Sequence, residues 1–121
     1  MTGVMSRLRR TVSSWGDQAD QQDRELQRSL RTEGATKIGE IPLRDAVTVR
    51  GTLRSVTLRP RGGMPALEAE LYDGSGALTL VWIGRRRIAG IDPGRTLQVQ
   101  GRVGLQGGVP VLFNPRYELI P

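Results

Sequence analysis

Over residues 1–37 the apolar side chains Val4, Leu8, Val12, Trp15, Ala19, Leu26 and Leu30 recur at steps of three or four, with one gap at Gln22 or Asp23. Such steps line up one stripe of a helix. Gly16 and Gly34 mark an interruption and a stop. The polar side of the stripe carries Asp17, Asp20, Asp23 and Glu25 among its arginines, the wrong charge for a helix resting on an anionic membrane surface. The pattern predicts a helical, partly flexible extension over 1–37 that docks its thin apolar stripe on its own domain, the alternatives being a protein partner or a membrane surface.

From Val47 the period changes to two. Val47, Val49 and Leu53 alternate with Thr48, Arg50, Thr52 and Arg54; Leu67, Ala69 and Leu71 alternate with Glu68, Glu70 and Tyr72. Asp73-Gly74-Ser75-Gly76 then predicts a hairpin turn into Leu78, Leu80 and Trp82, which alternate with Thr79, Val81 and Ile83. Leu97, Val99 and Val103 form a fourth run, and Gln106-Gly107-Gly108 turns into a fifth over 109–114. Gly51 and Gly101 stand where inward apolar residues are due, which predicts bends at barrel corners. Five strands, with an irregular stretch over 85–94 between the third and fourth, follow the order of the OB-fold, a Greek-key barrel. Trp82 falls in the inward phase, and Phe113 and Tyr117, on or after the last strand, are assigned to the core as well.

Composition supports a boundary near residue 38, because all seven prolines and thirteen of the sixteen glycines lie in 38–121. The expected organisation is a helical extension over 1–37 and a barrel over 38–121. The chain contains no Cys and no His, which excludes disulfides, zinc fingers, thiol nucleophiles and imidazole acid–base chemistry. Glu68 and Glu70 put two carboxylates on one strand face, yet neither a His nor a well-placed Lys completes a site, so no enzyme, metal or cofactor is expected. Apolar runs are too short for a membrane span, and no apolar segment follows Arg7, Arg9 and Arg10, so the expected setting is cytoplasmic. The net charge of +6 suits an acidic partner.

Four segments carry a family resemblance: Val49-Arg-Gly-Thr-Leu, Leu71-Tyr-Asp-Gly-Ser-Gly-Ala-Leu-Thr-Leu-Val-Trp, Asp92-Pro-Gly-Arg-Thr-Leu-Gln-Val-Gln-Gly-Arg-Val and Asn114-Pro-Arg-Tyr-Glu. In this order they resemble the OB module of class II tRNA synthetase anticodon-binding domains and of the RecG helicase wedge domain, and most of all stand-alone OB-fold nucleic-acid-binding proteins of high-GC bacteria. The resemblance covers about residues 46 to 120. It implies nucleic-acid binding across the second and third strands, between the loops at 58–65 and 105–109. Matched onto the synthetase pattern, the stacking aromatic corresponds to Glu68 and the base-reading amide to Thr79, so specific anticodon reading is not implied.

The candidate contacts are Arg59 and Arg61 in the first loop, Tyr72 and Thr79 on the outward strand faces, Arg85, Arg86 and Arg87 after the third strand, and Arg54 and Arg102 beside Arg50 on strands one and four. Arginines bring charge-assisted hydrogen bonds to phosphates, and Tyr72 brings one ring for stacking. Glu68 and Glu70 are expected to pair with Arg50 or Arg54 across strands. The expected function is weak binding of single-stranded or branched DNA or RNA without strong sequence preference. A protein-interaction adaptor built from the barrel and residues 1–37 is the competing reading.

Overall fold

The computed structural model describes residues 21–26 and 34–121. Among them the alternating runs become β1 (Ala46–Leu58), β2 (Ala66–Tyr72), β3 (Ala77–Ile83), β4 (Thr96–Gln106) and β5 (Val109–Phe113), followed by a short β6 (Arg116–Leu119). Antiparallel pairs β1–β2, β2–β3 and β4–β5, a parallel pair β3–β5 and a closing pair β1–β4 make a ring of five strands. β6 pairs with Leu97–Gln100 of β4, on the edge that β5 takes further along at Val103–Gln106. Residues 21–26 are helical; the remaining stripe positions Val4, Leu8, Val12, Trp15, Ala19 and Leu30 lie outside the described residues. No helix among the described residues is long and apolar enough to cross a membrane.

Closure depends on β1 serving two partners. Its residues Ala46–Thr52 pair with β4, and from Thr52 onward it pairs with β2. At the changeover Leu53 donates its N–H to Arg95 O (2.9 Å) and accepts from Gly94 N (2.7 Å). The β1–β2 register slips between Leu53 and Ser55, a bulge that leaves Arg54 unopposed and turns the strand. The bend therefore sits at Arg54, three residues beyond the glycine expected to make it.

Gly51 and Gly101 differ. A Cβ on Gly51 would lie 2.7 Å from Leu71 Cγ and 2.9 Å from Tyr72 O, so this position exists for close approach of β2. A Cβ on Gly101 would meet nothing nearer than 3.6 Å.

Inward residues of every ring strand form one core, including Val49, Leu53, Leu71, Leu80, Leu97, Val99 and Leu112, and each fully buried aliphatic side chain contributes about 1.5–3 kcal/mol. Ile88 and Ile91, from the irregular stretch between β3 and β4, join it. Trp82 is buried as expected, its indole N–H donating to Pro115 O at 3.0 Å. Tyr117 packs edge-on against Trp82 with ring centroids 6.0 Å apart, but is 42% exposed, and Phe113 is 44% exposed. Neither belongs to the buried core. Phe113 has the phase of Val81, its neighbour in the parallel register, and that phase points outward.

The Asp73-Gly-Ser-Gly turn does more than reverse the chain. Asp73 Oδ1 accepts from Ser75 N (2.9 Å), Ser75 Oγ (2.6 Å) and Gly76 N (3.3 Å), while Oδ2 accepts from Ile38 N (2.8 Å). The buried carboxylate thus fastens the 3-10 turn Ile38–Glu40 to the barrel, and Ile38 enters the core beside it.

Candidate functional site

The outward face of β2, β3 and β5 is shaped at one end by the loop between β1 and β2. Gly62 and Gly63, with φ of 55° and 79°, form a two-residue turn that other residues adopt only with strain. Reciprocal backbone hydrogen bonds between Arg61 and Met64 (2.8 and 2.9 Å) and one from Arg59 N to Ala66 O (2.9 Å) make the loop a small ordered hairpin. It is therefore able to aim its arginines.

Arg61 bends back over the sheet. Its Nη2 lies 3.2 Å from Glu68 Oε2, and its guanidinium carbon 5.7 Å from the centre of the Phe113 ring. Val81 stands between Glu68 and Phe113 in the register, so an arginine that reaches both spans Val81. Accordingly Val81, on the outward phase, is fully buried with Ala66 and Val111. The Arg61 Nε–H is buried without a hydrogen-bond acceptor among the described residues. Arg59 is 3.9 Å from the other oxygen of Glu68 and two-thirds exposed.

Arg85, Arg86 and Arg87 belong to the same end. Gly84 N donates to Pro65 O at 2.7 Å, which sets the start of the triplet against the end of the β1–β2 loop. All three are exposed, and they make no ion pair among the described residues. Phe113 is fixed nearby by Asn114, which takes a left-handed conformation (φ 50°), donates its backbone N–H to Val81 O and accepts from Ile83 N at 2.9 Å. Asn tolerates that conformation better than most residues.

At the opposite end of β2, the Arg54 guanidinium carbon sits 3.4 Å above the Tyr72 ring and Nη1 lies 3.3 Å from Glu70 Oε1. Tyr72 donates its hydroxyl to Asp23 Oδ1 at 2.5 Å. That hydrogen bond, then burial, raises the Tyr72 phenol above its ordinary value. Thr79 is half-buried beside Glu70 and Val111 in the register.

The expected pairing holds for Glu70 with Arg54, whereas Glu68 is taken by the loop arginines and Arg50 by Gln98 Oε1 at 2.9 Å. Arg102 does not join the others. It donates to Arg44 O (2.7 Å), next to the start of β1, while Arg54 lies beyond the changeover on the β2 side. The group expected on strands one and four, Arg50, Arg54 and Arg102, is thus divided. The β4–β5 turn at Gly107–Gly108 brings no charge and lies at the other end of β3 from Arg85. Sequence reasoning missed Phe113, and the signal was available: it is two residues after Val111 and next to Leu112, so a strand that buries Leu112 turns Phe113 outward. A separate shallow hollow of about 120 Å³ lies on β4 and β6, lined by Gln98, Gln100, Arg116, Tyr117 and Glu118.

Among solved structures, the chain is similar to RecG bound to a three-way DNA junction, with a TM-score of 0.59 and 23% identity over 72% of this chain. The match spans 12% of the RecG chain. A second similar structure is the OB domain of Ta0387 from Thermoplasma acidophilum, with a TM-score of 0.57 and 16% identity, covering 71% of this chain and 86% of that one. The barrel is an OB-fold. No family model and no curated protein matches the sequence. At these identities the likeness establishes the fold, and function has to be argued from the site.

Proposed function

We propose that this chain is a non-enzymatic OB module that binds single-stranded or branched nucleic acid, weakly and without strong sequence preference. The observation that carries the reading is the exposed triplet Arg85–Arg87, without an ion pair among the described residues, set against Arg59, Arg61 and the half-exposed ring of Phe113 at one end of the outward sheet face. Phosphates supply the counter-charge that the triplet lacks, and a base has one open ring on which to stack. Glu68 and Glu70 do not block the face, because arginines already neutralise both. The exposed Arg54–Glu70 pair contributes only about 0–1 kcal/mol, so exchanging that carboxylate for a phosphate costs little. The similarity to a RecG structure that holds junction DNA agrees with this reading.

Fluorescence anisotropy with labelled single-stranded and three-way-junction oligonucleotides across a salt series tests it. If three to five phosphates are held, log affinity falls against log salt with a slope of about −2 to −3.5 for single strands. Failure to bind either probe at low salt overturns the proposal.

A further inference from the structure

The hydrogen bond between Asp23 and Tyr72 joins residues 49 positions apart, and it brings a carboxylate onto the face where the nucleic-acid reading places a polyanion. A phenol O–H and a guanidinium stacked on the same ring offer donors and positive charge together, and a carboxylate and a phosphodiester present the same kind of acceptor oxygen to them. Tyr72 and Glu68 share the outward phase of β2, four residues apart, which at about 3.3 Å per residue separates Tyr72 from the loop arginines by about 13 Å along the strand. A strand lying on Arg59 and Arg61 and following β2 therefore arrives at Tyr72.

We propose that Tyr72 and Arg54 form a phosphate-binding pair that Asp23 fills from within the chain, so that nucleic acid must displace the helical residues 21–26 to occupy the full face. This rests on the nucleic-acid reading and adds to it a site and a competitor. Asp23 sits in a segment rich in carboxylates, Asp17, Asp20 and Glu25 with it, in a chain whose overall charge is strongly positive. The raised Tyr72 phenol agrees with a proton held toward Asp23. Neither Asp23 nor Glu25 contributes to the barrel core, so both can be changed without removing a buried side chain.

The test compares the full chain with Asp23→Asn and Glu25→Gln, which change the charge equally but differ in their relation to Tyr72. Anisotropy with a labelled oligothymidine at low salt reads the affinity. Displacement predicts that Asp23→Asn binds about fivefold more tightly than the unaltered chain, as expected when an internal occupant holds most of the population, and that Glu25→Gln changes affinity less than twofold. In a Tyr72→Phe background, where the hydroxyl is gone, Asp23→Asn should lose most of its effect. Equal effects of the two charge changes, or the same Asp23→Asn effect in both backgrounds, overturn the competition while leaving nucleic-acid binding in place. Failure of every variant, the unaltered chain included, to bind overturns the function and this site with it.

Discussion

Asp73 and Ile38 are joined by a hydrogen bond of 2.8 Å from the Ile38 amide to the carboxylate of a residue only 5% exposed. The other oxygen of that carboxylate holds the β2–β3 turn, so one side chain links a local turn to a segment 35 residues earlier. Replacing Asp73 by Ala strands several amides at once. Hydrogen bonds to charged groups contribute about 1.5–3 kcal/mol and unpaired buried donors cost about 1–3 kcal/mol, so a loss of about 3 kcal/mol or more is expected. Urea unfolding checks this as a lower midpoint at unchanged slope.

Gly51 and Gly101 give a second stability prediction. Gly51→Ala forces Leu71 or the β2 backbone to move and should cost about 1–3 kcal/mol, the range for overpacked cores. Gly101→Ala should stay within about 0.5 kcal/mol of the parent, as surface-like changes do. Equal unfolding midpoints for the two variants would contradict the assigned close approach.

These two glycines also show what the sequence exposes and what it hides. Period-two alternation and the Asp-Gly-Ser-Gly turn disclosed the five ring strands, because burial of one sheet face leaves its mark on every second residue. β6 left no such mark: Arg116, Tyr117 and Glu118 are all exposed, and the strand exists through its backbone pairing with β4. The change of β1 from β4 to β2 at Thr52 is a property of pairing between strands, and it puts Arg54 on the side of Tyr72, away from Arg102. Similarly, Arg61 and Glu68 are seven residues apart across a loop, and only the folded hairpin brings them to 3.2 Å. The candidate residues were legible as types, and their grouping was not.

Tyr72 should titrate above the ordinary phenol value of 10.0, because Asp23 accepts the hydrogen bond from its neutral form. A raised folded value means that the stability this hydrogen bond contributes is complete below about pH 10 and is lost as pH rises through the folded value. Arg54, stacked on the ring, acts in the opposite sense and is the smaller influence. Tyrosinate absorbance followed with pH in a Tyr117→Phe background isolates Tyr72. Asp23→Asn should move its transition to lower pH, and an unmoved transition would contradict the pairing of the two side chains.

Phe113 is predicted to stack a base without contributing charge. Phe113→Ala should weaken oligonucleotide binding by about tenfold, within the 1–3 kcal/mol usual for one stacked base, while the salt slope stays unchanged. A half-exposed ring outside the main core gives little stability, so the melting temperature should fall only slightly. Anisotropy and thermal unfolding on the same preparation separate the two effects.

The salt dependence of oligonucleotide binding, compared between the unaltered chain and the Arg85→Ala, Arg86→Ala, Arg87→Ala triple variant, tests most directly whether this end of the barrel holds phosphates. Every phosphate that the variant no longer neutralises should reduce the slope of log affinity against log salt by about 0.7 for a single strand, so removing the triplet is predicted to flatten it by about 1 to 2 and to weaken binding at low salt. A triple variant that binds with the parent's affinity and slope would contradict the assignment of this end of the barrel to the phosphate backbone.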